Sequence, residues 1–324
     1  MTISVGQYGQ PLRCSVNCLW ISIGWHTEPY AREMTLRRHV MAIFSNQATL
    51  TYNGNTTNSN IAYGEILDVL AVTKTAVEGS YTPGNLVTYV VTLRNTGAGT
   101  LSGLTVTDNL GGYTFGSGTA YPLTYEDGSI LAFINGAPQS APAVTAGPPL
   151  VISGLTIPGS SDMVLVYQAR ANAFADPTVE GTIANTVTVS GDGLSAPVTS
   201  SASVSADIAP MLTISKSITP AQVVDNDRVT YTFVIQNSGN DAVTAADSAA
   251  ISDIFDPVLT ALTVTFDGVA WTEGGQYNYD AATGLFTTVP GQLLVPAATF
   301  TQNPTTGEYS LTPGIATLVV TGTI

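Results

Sequence analysis

Short alternations of apolar and polar residues run from about residue 41 to the end of the chain. Leu70-Ala-Val-Thr-Lys74 and Val187-Thr-Val189 show the pattern, and turns rich in Gly, Pro, Asn and Ser separate one run from the next. A period of two places alternate side chains on one face, so each run predicts a strand with one buried face. No apolar run reaches the roughly 18 residues that cross a bilayer as a helix. We predict an all-β protein with no membrane insertion.

Two parts of the chain repeat the same succession of short motifs. The motif Leu70–Lys74 recurs 142 positions later as Leu212–Lys216. The further matches pair Val87-Thr-Tyr89 with Val229-Thr-Tyr231, Asn95-Thr-Gly97 with Asn237-Ser-Gly239, and Val106-Thr-Asp108 with Ile251-Ser-Asp253. Each copy has the size of a β-sandwich. We predict two tandem sandwiches, over residues 67–209 and 210–324.

The second copy is shorter than the first. Matching the Pro-Gly turns near the end of each copy places Ile324 at the position of Ala169, so the strands of 183–208 have no counterpart after it. Similar strands occur at the other end of the chain, where residues 44–66 carry a turn at Asn53-Gly54. We therefore predict that residues 41–66 are donor strands and that the second sandwich is incomplete.

An incomplete sandwich predicts assembly. A last strand such as Ala316–Thr321 would leave backbone donors and acceptors unpaired beside an apolar face, which is a template for another strand. A whole domain separates the donor from this edge, and the Ile208–Pro210 joint is short and stiff. We predict identical subunits joined head-to-tail in a filament, with a closed swapped dimer and self-completion within one chain as the alternatives.

One lysine, one acid and one asparagine recur at equivalent strand positions. Strand alternation places the only two lysines, Lys74 and Lys216, on faces that are otherwise apolar. The same reasoning turns two acids and two asparagines inward: Asp108, Asp253, Asn185 and Asn46. The first sandwich would bury Lys74, Asp108 and Asn185, whereas the second would combine Lys216 and Asp253 with Asn46 of another subunit.

Two interpretations of these polar sets remain open. A buried Lys–Asp ion pair with an Asn hydrogen bond satisfies the groups without any chemistry. Alternatively, burial favours the neutral forms, and a neutral lysine amine is a nucleophile toward the asparagine carboxamide. The acid would then shuttle protons while ammonia leaves, which gives an isopeptide bond. This interpretation predicts Asp108 and Asp253 as catalytic groups, and cross-links Lys74–Asn185 and Lys216–Asn46.

These motifs resemble a family. The Lys that ends the first strand, Tyr89/Tyr231 with the Asn-Thr/Ser-Gly motifs, Asp108/Asp253 and the Asn46/Asn185 strands are similar to the prokaryotic conserved-repeat domain of unknown function number eleven. The resemblance covers residues 41–324 and implies strings of immunoglobulin-like sandwiches on bacterial or archaeal surfaces and appendages. The Lys/acid/Asn set is also similar to that of isopeptide-forming pilin and adhesin domains.

Residues 1–40 differ from the rest in composition. Both cysteines and both histidines lie there, with four of the nine basic residues. The spacing of Cys14 and Cys18 fits no common zinc pattern, and the apolar stretch Cys18–Trp25 makes no clear signal peptide. We expect this segment to be an upstream extension or a misassigned start, with Met41 beginning the working protein.

Charge and residue content limit the function classes. The net charge of −14 argues against nucleic acid as a partner. Without Cys or His after residue 40, no Ser-His-Asp or Cys-His site forms there, so we predict no turnover enzyme, no metal and no cofactor. The leading hypothesis is a structural filament subunit at a cell or spore surface or elsewhere outside the cell. The alternative is a surface adhesin or ligand-binding module that does not polymerise.

Overall fold

The computed structural model describes residues 40–324, and in them β-strands form all the regular structure apart from one 3-10 turn at Ala245–Asp247. The all-β prediction is confirmed. The expectation for residues 1–40 lies outside the described residues, except for Val40.

Four strands make the N-terminal hairpin: β1 Val40–Asn46, β2 Thr49–Tyr52, β3 Asn55–Asn58 and β4 Ala62–Leu67. The next strands build the first sandwich: β5 Leu70–Ala76, β6 Ser80–Tyr81, β7 Leu86–Asn95, β8 Leu101–Asp108, β9 Tyr113–Phe115, β10 Gly118–Ala120, β11 Leu123–Tyr125, β12 Leu131–Ile134, β13 Ala137–Pro138, β14 Ala143–Thr145, β15 Leu150–Ile157, β16 Ser161–Ala171, β17 Thr182–Ser190 and β18 Val198–Ala206. The remaining strands belong to the second sandwich: β19 Leu212–Thr219, β20 Arg228–Asn237, β21 Ser252–Ile254, β22 Thr260–Phe266, β23 Val269–Trp271, β24 Tyr277–Asp280, β25 Leu285–Thr288, β26 Thr299–Gln302, β27 Tyr309–Thr312 and β28 Gly314–Thr323.

The first sandwich consists of two sheets that face each other across one core. One sheet has the strand order β13-β12-β16-β7-β5, and the other has the order β14-β15-β8-β17-β18-β6. Alternate residues of the long strands point inward, so Tyr89, Leu93, Leu104 and Tyr167 are fully buried. The inward residues of β17 and β18, Val187 and Val204 among them, belong to the same core. These two strands therefore complete the first sandwich.

The second sandwich repeats one sheet and keeps only half of the other. Its order β19-β20-β28-β22-β23 matches the first sheet of the other copy strand for strand. The opposing sheet has only β21, β25 and β24 among the described residues. Since β21 carries the repeated Asp motif of β8, the positions that β17 and β18 fill in the first sandwich hold no strand of residues 40–324 in the second.

The prediction that Ala316–Thr321 form an unpaired edge strand is wrong. These residues lie in β28, which pairs with β20 on one side and with β22 on the other, so they are central. The missing strands belong to the opposite sheet, where β8 pairs with β17 but its counterpart β21 pairs only with β25 in the described part of the chain. The register also corrects the alignment: Gly314 pairs with Asn237 as Ser161 pairs with Asn95, so Ile324 matches Ala171, not Ala169.

The N-terminal hairpin presents apolar side chains to solvent. Its chain reverses at Asn53-Gly54, where both residues have positive φ (44° and 79°), so the predicted turn is confirmed. Leu50 and Tyr63 expose 62% and 71% of their surface. Within the described residues its strands pair only with one another. Two residues separate β4 from β5.

The two sandwiches meet at a short joint. The side-chain amide of Asn240 donates to the carbonyl oxygens of Pro177 and Asp207, at 2.9 and 2.8 Å. The backbone N–H of Tyr309 donates to the carbonyl of Ala173 at 2.8 Å. These bonds hold the start of the second sandwich against the end of the first.

Candidate functional site

Three strands of the first sandwich bring the predicted polar set together. Lys74 lies in the middle of β5, Asp108 ends β8, and Asn185 lies in β17. Each occupies an inward position of its strand, and all three are buried among apolar residues. The alternation that places their neighbours in the core therefore places these groups there as well.

The carboxylate of Asp108 is the centre of the set. Lys74 Nζ donates to Asp108 Oδ2 at 2.5 Å, and Asn185 Nδ2 donates to the same oxygen at 3.3 Å. The hydroxyl of Tyr167 also donates to Oδ2, while Oδ1 accepts the backbone N–H of Leu110 at 2.7 Å. The lysine amine and the asparagine carboxamide thus lie beside each other on one carboxylate oxygen.

Two tyrosine rings form an apolar wall around the amine. Lys74 Nζ lies 4.5 Å from the ring centre of Tyr89 and 5.8 Å from that of Tyr167. Burial lowers the pKa of Lys74 to about 8, against the opposing attraction of Asp108. Burial also raises the pKa of both tyrosines above the usual value. At mildly alkaline pH the amine therefore loses its proton much more readily than a solvated lysine does.

The geometry suits both interpretations that the sequence leaves open. In the first interpretation the set is a buried ion pair with hydrogen bonds that occupy both carboxylate oxygens, which requires no chemistry. The same contacts hold an amine of lowered pKa against a carboxamide, with a carboxyl group able to carry protons between them. This is the set of groups that amide exchange with loss of ammonia requires.

In the second sandwich the lysine and the acid meet without an asparagine. Lys216 Nζ donates to Asp253 Oδ2, and it lies 4.6 Å from the ring centre of Tyr231, the counterpart of Tyr89. The side chains of Lys216 and Asp253 expose 38% and 20% of their surface, whereas Lys74 and Asp108 expose none. Asn46 is exposed in β1 and makes no described contact with this pair.

The open pair lies in an apolar groove. Leu212 exposes 44% of its surface, although its counterpart Leu70 exposes 6%. A cavity of about 170 Å³ lies beside it, lined by Leu212, Ile214, Ile235, Ala249, Ile251, Leu293 and Val295. Its size is comparable with the roughly 150 Å³ space that a deleted core leucine leaves. Because no described strand takes the places of β17 and β18 in the second sandwich, both the polar pair and part of the core are exposed.

Sequence reasoning missed one member of the first site. Tyr167 touches Asp108, but its counterpart by pairing is Val320, so comparison of the copies gave no signal for it. The repeated Asn95 and Asn237 are structural. Asn95 Nδ2 donates to three loop carbonyls. Asn237 Nδ2 donates to the carbonyls of Asp241 and Pro296, and its Oδ1 accepts the backbone N–H groups of Met211 and Gly239.

Beyond the polar sets, residues 40–324 present a cavity but neither a cluster of metal ligands nor a membrane-spanning helix. In that range no three or more His, Cys, Asp or Glu side chains are placed to share a metal ion. No helix there has the length and apolar character to cross a bilayer. A cavity of about 510 Å³ lies at the joint between the sandwiches and includes Tyr81, Met211 and Tyr309 in its lining.

No family model and no curated protein matches this chain. The resemblance to the conserved-repeat family therefore stays a prediction.

Solved structures that are similar to this chain include pilin and adhesin domains. The major pilin subunit BcpA of Bacillus cereus is 9% identical over 76% of this chain and 64% of its own, with a TM-score of 0.33. The RrgA Jo.In complex is 11% identical over 42% and 79%, with a TM-score of 0.32. The collagen-binding subdomain of the Enterococcus faecalis surface protein ACE is 9% identical over 42% and 96%, with a TM-score of 0.28. All three TM-scores are below 0.5, so these likenesses carry no conclusion about the function of this chain.

Proposed function

We propose that this protein is the structural subunit of a surface or extracellular filament, in which the N-terminal hairpin of each subunit completes the second sandwich of the next. One observation carries the proposal. The second sandwich lacks the two strands that close the first, and the chain carries an apolar hairpin of similar sequence that pairs with nothing else in residues 40–324. Strand addition would bury the apolar surface of both partners.

The connections at each end of the first sandwich favour a neighbouring subunit over self-completion. The hairpin joins β5 at Leu70, which pairs with Asn95 at one end of β7. The second sandwich contacts Ala173, beyond the other end of β7, where Leu86 pairs with Arg170. A strand of ten residues spans about 33 Å, whereas a two-residue linker reaches about 7 Å. The hairpin is therefore tethered at the end of the first sandwich that faces away from the groove.

The ends of the sandwiches at which the strands enter and leave also favour an open chain of subunits over a closed assembly. In the first sandwich, β18 leaves at the Leu86 end of β7, and the second sandwich follows there. A hairpin docked in the same way would leave the second sandwich at the Arg228 end of β20, far from the joint at Gly239. The first sandwich of the donor subunit would follow directly. At each subunit junction a completed sandwich is then followed directly by the next sandwich, as at the joint within one chain. This is the head-to-tail contact of a filament.

The proposal includes a cross-link in each sandwich. The neutral amine of Lys74 attacks Cγ of Asn185, a Cγ–Nζ bond forms, and the Cγ–Nδ2 bond breaks. Asp108 gives a proton to the departing nitrogen and takes one from the amine, so ammonia leaves and the acid is regenerated. Lys216, Asp253 and Asn46 of the adjacent subunit would react identically. The first bond is internal, and the second joins two subunits covalently.

Intact-mass spectrometry of the boiled protein tests the chemistry. Each bond removes one ammonia, so a monomer lighter by ~17 Da reports the internal bond. Multimers that survive boiling, with one further ammonia lost for each junction, report the bond between subunits. A monomer of full mass would contradict both cross-links and leave strand exchange to be judged separately.

Electron microscopy tests the assembly. Filaments should form from the full chain at high concentration and should be lost when residues 41–66 are deleted. A peptide of residues 41–66 in excess should shorten the filaments by occupying the groove, and a peptide with the same composition in scrambled order is the control. Rings or dimers of fixed size would contradict an open filament, and a monomer at all concentrations would favour the adhesin alternative, for which the cavity at the joint is the candidate site.

A further inference from the structure

The first sandwich serves as a template for the register of the docked hairpin, and this inference rests on the proposed function. Asn185 in β17 pairs with Ala202 in β18, and Asn46 in β1 pairs with Ala62 in β4. Counting forward from each asparagine gives the same spacing to a threonine, Thr188 in one hairpin and Thr49 in the other. The two hairpins therefore align without a gap along their first strands.

The second strands agree with this register from the turn to Ser59; between Ser59 and Ala62 the N-terminal hairpin has one residue more than β18 has between Ser200 and Ala202. Val187 pairs with Ser200, and the hydroxyl of Ser200 accepts the backbone N–H of Lys74 at 2.9 Å. In the N-terminal hairpin, Ala48 takes the position of Val187, and its carbonyl accepts the N–H of Ser59. A serine thus stands at the same position in both hairpins, and in the free hairpin the Ser59 hydroxyl accepts the N–H of Ala48 at 2.9 Å and donates to the carbonyl of Asn60 at 2.7 Å.

The register brings one side chain to the cavity in the groove. Val189 is fully buried in the first sandwich and pairs with Val106 of β8. Leu50 has the position of Val189, and Ile251 has that of Val106. Ile251 lines the 170 Å³ cavity, and Leu50 exposes 62% of its surface in the free hairpin.

We propose that Leu50 of one subunit fills the cavity between Leu212, Ile214, Ile235 and Ile251 of the next, and that this contact fixes the register of the donor hairpin. The partner for this surface is a second copy of the chain. In the docked state Thr49 lies opposite Ser252, as Thr188 lies opposite Thr107. Asn46 then comes to Lys216 and Asp253 as Asn185 does to Lys74 and Asp108.

Disulfide trapping between two different chains tests the register. Both chains carry Cys14→Ser, Cys18→Ser and Asn46→Ala, so that every covalent multimer must be a disulfide of the new cysteines. One chain carries Thr49→Cys and the other Ser252→Cys; both positions are exposed in the free protein. The mixture should give a heterodimer that a reductant reverses. Replacing Thr49→Cys by Gln47→Cys or Thr51→Cys shifts the cysteine by two residues, and either should trap at least tenfold less.

The outcomes separate this inference from the proposed function. Filaments that trap Gln47→Cys or Thr51→Cys in preference to Thr49→Cys would overturn the register and leave donor-strand assembly standing. Absence of filaments and of every disulfide would overturn both.

The cavity contact has its own test. Leu50→Asp should raise the concentration needed for assembly by roughly 100-fold or more, because it loses the apolar contact and would bury a charge. Leu50→Val, which introduces the residue found at the equivalent position of the first sandwich, should assemble within about tenfold of the parent protein. Both variants should keep the thermal unfolding of the monomer, since Leu50 is exposed there. Assembly of Leu50→Asp at the parent's concentration would overturn the contact.

Discussion

Lys74 and Lys216 occupy the same strand position in two copies of one sandwich, yet the first side chain is fully buried and the second exposes 38% of its surface. The difference arises from two strands, β17 and β18, that cover the first lysine and have no counterpart over the second in the part of the chain that the structure describes. The two copies in one chain thus present the same polar pair in a closed and in an open sandwich.

Removal of each lysine should therefore have unequal effects on the monomer. In an Asn185→Ala background, where the amine is free, Lys74→Ala leaves the carboxylate of Asp108 buried without its cation and should lower the stability of the first sandwich by about 3–5 kcal/mol. Lys216→Ala removes a partly solvated pair and should cost at most about 1 kcal/mol. Hydrogen exchange of peptides from β7 and β20 would report each sandwich separately. Equal losses would contradict the open second sandwich.

The two asparagines should control different covalent bonds. Asn46→Ala should leave filaments that fall apart into monomers on boiling, each still lighter by ~17 Da. Asn185→Ala should give multimers that survive boiling, but without the internal loss of ammonia. Denaturing gels combined with intact mass distinguish the two patterns. Boiled multimers that persist unchanged in Asn46→Ala would contradict the proposed junction bond.

Tyr167 should act as a positioning residue for the internal bond alone. Its hydroxyl donates to the Asp108 oxygen that also binds Lys74 and Asn185, and Val320 stands at its place in the second sandwich. Tyr167→Phe should slow the ammonia loss of the first sandwich by about tenfold or more and leave junction formation unchanged. Mass spectra taken over time after refolding measure both. Equal slowing of the two bonds would contradict a local role.

The lowered pKa of Lys74 gives the stability of the first sandwich a defined pH dependence when the amine is free, as in Asn185→Ala. Between pH 8, the pKa in the folded chain, and about pH 10.5, its ordinary value, the unfolded chain binds a proton that the folded chain does not. Stability should therefore rise with pH in this window, by up to about 1.4 kcal/mol per unit.

Above about pH 10 the trend should reverse. Tyr89 and Tyr167 have raised pKa values, so the unfolded chain releases protons that the folded chain keeps. Chemical denaturation of Asn185→Ala at several pH values measures both slopes. The cross-linked parent has no free amine and should lack the rise, so a similar rise in the parent would argue that Lys74 is unbonded.

The repeated motifs carried most of what the sequence could predict. Period-two alternation gave the β class, and it also gave the inward direction of Lys74, Asp108 and Asn185, because the direction of a side chain in a strand depends only on position. The turn at Asn53-Gly54 followed from the need for positive φ. Neither prediction required knowledge of which strands are neighbours.

The sequence could not predict which strands are neighbours in each sheet. The last strand in the chain, β28, lies in the middle of its sheet, because strand order in a sandwich does not follow chain order. For the same reason the sequence did not predict Tyr167 as a site residue, because it is placed at the site only by the pairing of β16 with β7. The Pro-Gly motif misled the alignment by two residues, since Leu155 pairs with β8 whereas Leu311 pairs with β26.

The positions of the lysines in β5 and β19 have a mechanical consequence in the proposed filament. Tension enters a subunit through its hairpin and reaches Lys74 after the two-residue linker and the start of β5. With both bonds formed, it passes to Asn185, along β17 and β18, across the joint to Lys216, and into the hairpin of the next subunit. This covalent path bypasses residues 75–184 and 217–324, so most of each sandwich carries no load. Stretching the filament would therefore load two hairpins, β17–β18 and the N-terminal one, because Asn185 lies opposite Ala202 and Asn46 lies opposite Ala62. These hairpins would unzip first, and their length would set how far the filament extends before a covalent bond is strained.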